Sequence, residues 1–107
     1  MTDQVLLAEF DEAMHDIYRR ALKEAGYKAS IFLDMLFKHG GHETARRLIN
    51  SPKVSDGYTA LWERRRLDLS VEAVVVENPK WHPLFSDKEL ENCRKRLKDY
   101  EYTPKSR

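Results

Sequence analysis

Cysteine is almost absent from this 107-residue chain: Cys93 stands alone, which excludes an internal disulfide and suits a reduced compartment. Histidine does not fill the gap. His39 and His42 form one pair across a helix break, with His15 and His82 elsewhere, where a structural zinc site needs paired ligands twice over. No metal and no cofactor are therefore expected. No apolar run approaches the ~20 residues needed to cross a bilayer, so no membrane partner is expected. A surplus of one charge is missing too: 19 basic against 18 acidic residues leave +1, with no bulk pull toward nucleic acid or anionic lipid. Glycine-rich phosphate loops, nucleophile elbows, internal repeats and low-complexity tracts are likewise lacking. Asp3, Glu9 and Asp11 stand where a secretory leader would be basic, and a cytoplasmic location is the expectation.

What is present is a globular balance, 41% hydrophobic and 35% charged residues, which suits one domain able to bury a core. That domain is expected over residues 1–102, followed by a loose tail, 103–107, without an apolar anchor. The four glycines and four prolines fall between segments of helical apolar spacing, never inside one. Helix ends need residues that accept left-handed dihedrals or cannot continue the ladder, so the breakers parse the chain into short helices.

The first helix is predicted from about Asp3 to Ala25, with Leu6, Phe10, Met14, Ile17, Tyr18, Ala21 and Leu22 on one face and Gly26 as its stop. Asp3 near its start and Lys23 near its end both suit the helix dipole. A second, from Ser30 to His39, carries Ile31, Phe32, Met35 and Leu36, widened by Leu33 and Phe37. A helix that apolar is expected at the centre. Gly40-Gly41 ends it, a third runs from His42 to about Ile49, and Ser55 or Asp56 caps a fourth. On that fourth segment Tyr58, Leu61 and Trp62 share a face, which predicts Trp62 in the core.

Leu69 to Glu77 reads two ways. Val74-Val75-Val76 favours a strand by propensity. Val71, Val74 and Val75 fit helical spacing, Asp68 or Ser70 can cap, and a lone strand would leave its backbone unpaired, so helix is preferred. The last helix opens on a capping box, Ser86-Asp87-Lys88-Glu89, with Phe85 and Leu90 as a hydrophobic staple. Its buried stripe is Leu90, Cys93, Leu97 and Tyr100. The expected architecture is an all-α bundle of five or six short helices, the first and last packing on the second.

Several motifs follow one another in order: Gly26-Tyr27, Phe32-Leu33-Asp34-Met35-Leu36, Gly40-Gly41, Ser55-Asp56-Gly57-Tyr58 and Leu61-Trp62-Glu63. Arg66-Leu67-Asp68-Leu69-Ser70-Val71-Glu72-Ala73, Leu84-Phe85, Glu89-Leu90 and Arg96-Leu97 complete the series. Together they resemble a widespread group of small uncharacterised bacterial proteins and domains. The resemblance implies a bacterial or phage origin and a self-contained unit, and carries over no catalytic residue.

The densest chemistry lies between Asp56 and Glu72, where Tyr58, Trp62, Glu63, Arg64, Arg65, Arg66, Asp68 and Glu72 crowd together. Tryptophan, tyrosine and arginine dominate interface hot spots, which suggests a binding surface. The plainer alternative is a solvated charge run, with Trp62 inside and Arg66 and Asp68 pinning a turn. Three basic clusters, Arg46-Arg47, Arg64 to Arg66 and Arg94 to Arg96, raise nucleic acid as a partner. Against it, Asp56 stands at the helix end that would have to approach phosphate. A nuclease built on Asp68, Glu77 and Lys80 lacks converging carboxylates, and Cys93 on a buried stripe is a small hydrophobe rather than a nucleophile. The expected function is a non-catalytic protein-interaction or adaptor domain. Its surface would combine Arg64, Arg65, Arg66 and Asp68 with the Trp81-His82-Pro83 loop. The alternative is a nucleic-acid-associated protein using the clustered arginines.

Overall fold

The computed structural model describes residues 2–105 as five α-helices and two 3-10 turns, with no strand among them. The helices are α1 (Thr2–Ala25), α2 (Ser30–Asn50), α3 (Asp56–Glu63), α4 (Val71–Glu77) and α5 (Asp87–Asp99). The turns are Leu67–Leu69, before α4, and Pro79–Leu84, after it. The class is all-α. The Asp3 side chain and tail residues 106 and 107 lie outside the described residues.

Along α1, Phe10, Met14, Ile17 and Ala21 are buried at steps of three and four, so one face enters the core. The helix stops at Gly26, where the Tyr27 N–H donates back to the Ala21 carbonyl at 3.0 Å. The helices expected on either side of Gly40 are two halves of α2, joined through a kink. Gly40 has φ 79° and ψ 169°, a backbone region open essentially to glycine alone. Breaking the ladder there frees amides that need partners. Asp11 of α1 reaches across and accepts from the Gly41 N–H at 2.8 Å. The same crossing is tight. A Cβ on Gly41 would stand 2.8 Å from the Asp11 Cα, so only glycine lets α1 and α2 touch here.

Ser55 caps α3 by accepting from the Tyr58 N–H at 3.0 Å, and Ser70 caps α4 by accepting from the Ala73 N–H at 3.2 Å. The valine run thus lies in α4, where Val71 and Val75 are buried. The capping box of α5 is complete: Glu89 N–H donates to Ser86 Oγ at 3.1 Å, and Ser86 N–H to Glu89 Oε1 at 2.9 Å.

The core has two adjoining parts. One gathers Phe10, Met14, Ile49, Val75, Trp81 and Cys93, with the Phe10 ring edge-on to Trp81 at 5.2 Å and to Phe85 at 5.5 Å. The other gathers Ala21, Tyr58, Leu61, Leu69 and Leu97. Burial holds the Cys93 thiol up at about 12, so it stays an uncharged hydrophobe.

Three expectations need correction. The apolar 30–39 segment is not central: Leu36 alone is buried there, while Ile31 and Phe37 are each 75% exposed. The half of α2 beyond Gly40 enters the core instead, through Gly41, Thr44, Ala45 and Ile49. The two tryptophans exchange roles. Trp62 is 45% exposed, because Tyr58 and Leu61 fill the inner side of a two-turn helix and leave it the edge. Trp81 is 6% exposed, because the 3-10 turn drives its ring against Phe10. Leu22, expected on the inner face of α1, is 44% exposed, because it lies one step round the helix from buried Ala21. Near the C-terminus, Glu77 accepts from the Tyr102 hydroxyl and, at 3.0 Å, from the Lys105 N–H.

Candidate functional site

The surface expected around Arg64 to Asp68 is built by the way α3 ends. Arg66 N–H donates to the Leu61 carbonyl at 2.8 Å and Arg65 N–H to the Trp62 carbonyl at 2.9 Å, a Schellman turn. Such a turn wants glycine at its left-handed position, yet Arg65 occupies it with φ 59°. Helix α5 ends the same way, with Glu101 at φ 59° and the Tyr102 N–H on the Leu97 carbonyl at 2.8 Å. The two helix ends lie side by side. Trp62 meets Tyr100 edge-on at 5.4 Å, and Tyr100 meets buried Tyr58 at 5.0 Å. An exposed indole is thus backed by two rings that run into the core.

The arginines there have different jobs. Arg64 lies over the Tyr27 ring at 5.0 Å and donates to the carbonyls of Ala25 and Ala60, closing the ends of α1 and α3. Arg66 forms a two-point pair with Asp68 at 3.0 and 3.1 Å and reaches Glu24 of α1 at 2.7 Å. Hydrogen bonds from Arg20 and Arg66 hold the Glu24 carboxyl down at about 2. Asp68 is lowered as well, chiefly by Arg66. Arg65 makes no ion pair among the described residues and projects from the strained position. Of the expected site, then, Arg65 faces solvent free, Arg64, Arg66 and Asp68 double as tethers, and Trp81 leaves the surface altogether.

His82 also leaves. Its Nε2 lies 3.1 Å from the Val75 carbonyl and 3.3 Å from that of Val76, where it donates to the unpaired end of α4. The other basic clusters are engaged in part, with Arg94 unpaired among the described residues. Arg46 pairs with Glu89 at 3.1 Å, Arg47 with Glu43 at 2.9 Å, and Arg96 with Glu72 at 3.0 Å.

Arg96 and Glu72 each stood in a group the sequence marked, the Arg94 to Arg96 cluster and the Asp56 to Glu72 segment, but their pairing was not foreseen. The Arg96 guanidinium donates to the Leu48 carbonyl at 2.8 Å, to the Ser51 carbonyl and to Glu72, so it joins α5, α4 and the end of α2. Burial raises the Glu72 carboxyl above its ordinary range, and the Arg96 contact only partly offsets this.

Glu72 also lines an apolar cleft of about 150 Å³. Its walls come from Ile17 and Ala21 of α1, Ile31, Phe32 and Met35 of α2, the start of α3 around Tyr58, and Leu69 to Val71. Several of the polar side chains in the walls are already partnered, while the Tyr27 hydroxyl and the Asp56 carboxylate make no hydrogen bond among the described residues. Ser55 and Ser70 serve as helix caps, and the Tyr58 hydroxyl donates to the Arg96 carbonyl at 3.1 Å. Burial accordingly pushes the Tyr58 phenol upward. Among the described residues, no cluster of three or more His, Cys, Asp or Glu side chains could hold a metal ion. No helix is long and apolar enough to cross a membrane. Compared with known proteins, the chain matches no family model, no curated protein and no solved structure.

Proposed function

We propose that this is a non-catalytic protein-interaction domain whose contact surface is the Trp62–Arg65 turn with its Tyr100 backing. The observation that carries the reading is Arg65, held exposed at a left-handed position where glycine would be cheaper. Beside it lies a tryptophan that could have been buried and is instead 45% exposed. Tryptophan, tyrosine and arginine anchor protein interfaces because they combine large area with directional bonding. The partner that fits is a polypeptide offering an apolar side chain to Trp62 and a carboxylate to Arg65. Origin in a bacterial or phage cytoplasm belongs to the same proposal and rests on the resemblance.

The test is a photo-crosslinker at exposed position 63, beside Trp62, expressed in the source cells, followed by calorimetry with the purified partner. Trp62→Ala and Arg65→Gly should each weaken that binding at least tenfold while leaving the melting temperature within a few degrees. A partner that binds both variants as tightly as the parent overturns the reading.

A second reading, nucleic-acid association, draws support from the outer face of α5, where Lys88, Arg94 and Lys98 are exposed without ion pairs among the described residues. It requires submicromolar binding that survives ~200 mM salt, where a few phosphate contacts alone would fade.

A further inference from the structure

We infer that the cleft between α1, α2, α3 and the start of α4 is a binding site for a small, neutral, single-ring aromatic molecule. Size is the first ground. The partly open cleft measures about 150 Å³, a volume that admits a benzene-sized guest.

Chemistry is the second ground. A water molecule needs two to four polar partners to be held. The Ser70 and Tyr58 hydroxyls donate to backbone carbonyls and Ser55 caps α3, which leaves the Tyr27 hydroxyl as the one wall hydroxyl without a partner among the described residues. Ile17, Leu61 and Val71 offer only hydrocarbon. Water inside is therefore poorly held, and an apolar guest displaces it at little cost. A charged guest fits worse. An anion would meet Glu72 at the wall and Asp56 at the mouth, and the nearby cation, Arg96, is already committed to Glu72 and two carbonyls. A cationic guest would find Glu72 neutralised by that same arginine. A neutral, apolar guest of single-ring size is what remains.

Access is the third ground. The wall formed by residues 31–35 belongs to the half of α2 that the core does not grip, so Phe32 and Met35 can yield to a guest without disturbing the Gly41 crossing.

The experiment is a titration of the isotope-labelled protein with toluene, benzoate and benzylammonium, followed on methyl resonances. Toluene should give saturable shifts confined to Ile17, Ile31, Leu61, Leu69 and Val71, and should raise the melting temperature. Benzoate and benzylammonium should bind at least tenfold more weakly. Ala21→Leu fills the cleft from α1 and should abolish the toluene shifts. Ala29→Leu fills it from the loop and serves the same purpose should the first variant fail to fold. Unsaturable or scattered shifts, tighter binding of either ion, or unimpaired toluene binding in a folded filled variant would each overturn the assignment.

Discussion

The two halves of α2 are one helix by sequence adjacency and two different materials by packing. Beyond Gly40, the backbone of Gly41 rests on α1, Ala45 and Ile49 are fully buried, His42 Nε2 reaches the Leu84 carbonyl at 2.6 Å, and Glu89 binds both Arg46 and Asn50. Before Gly40, Leu36 alone is buried, the polar pair Asp34–Lys38 lies in solvent, and the inner side borders a cleft. More apolar residues stand in the loose half than in the gripped one. Burial is thus decided by which surface finds a partner, and hydrophobicity alone does not choose.

The sharpest way to break this contrast uses the same residue type on each side of the kink. Ile49→Ala should cost about 2–5 kcal/mol by emptying a fully packed site. Ile31→Ala should stay within about 0.5 kcal/mol, since its side chain is mostly in water. Urea denaturation of both variants decides it, and equal losses would refute the two-material description.

Gly41→Ala tests the crossing itself. Its new methyl would sit 2.8 Å from the Asp11 Cα and 3.2 Å from the Met14 side chain. One of these neighbours is backbone and cannot turn aside, so a loss of about 1–3 kcal/mol is expected, with a matching fall in melting temperature.

Acid sharpens the comparison further, because the gripped half is held by a carboxylate. Burial would raise Glu89, yet the Ser86 amide, Asn50 and Arg46 together pull it from an ordinary 4.5 to about 2. Its folded value lies below its unfolded one, so its contribution is complete above pH 4.5 and is lost as pH falls toward 2. Glu72 has the opposite sign: raised by burial, it favours the fold when protonated and loses that contribution as pH rises. In Glu89→Gln the acid limb of the stability curve should flatten, and amide exchange should quicken first around residues 46–50. An unchanged acid limb would remove Glu89 as the anchor.

The smallest effect has the opposite direction. Arg65→Gly should raise stability by about 1 kcal/mol, because glycine pays no steric cost at φ 59°. A loss instead would show Arg65 serving the fold, and its exposed position would need another explanation.

Much of the architecture could be read from residues alone. Ser86 with Glu89, Ser70 before the valines and Gly40-Gly41 act through neighbours one turn away, and the structure places each where local chemistry requires. The tryptophans could not be sorted that way. Helix α3 has eight residues, too few turns for periodicity to fix which flank faces in, and Trp81 sits in a 3-10 turn with no face at all. The pairing of Arg96 with Glu72 was hidden for a different reason. Their partnership spans 24 residues, and neither residue carries a local pattern that marks burial.

The Arg96 clamp has a bearing on time as well as on energy. Its bonds to Leu48, Glu72 and Ser51 close loops of 48, 24 and 45 residues, whereas α1 and α2 meet across a four-residue connection. Long loops lose more chain entropy before their contacts are rewarded, so the α1–α2 hairpin forms early and the clamp late. A bond that forms after the barrier leaves the speed of folding alone and slows escape from the native state. Arg96 is in this sense a latch: replacing it should hasten unfolding severalfold while the refolding arm of the chevron stays where it was.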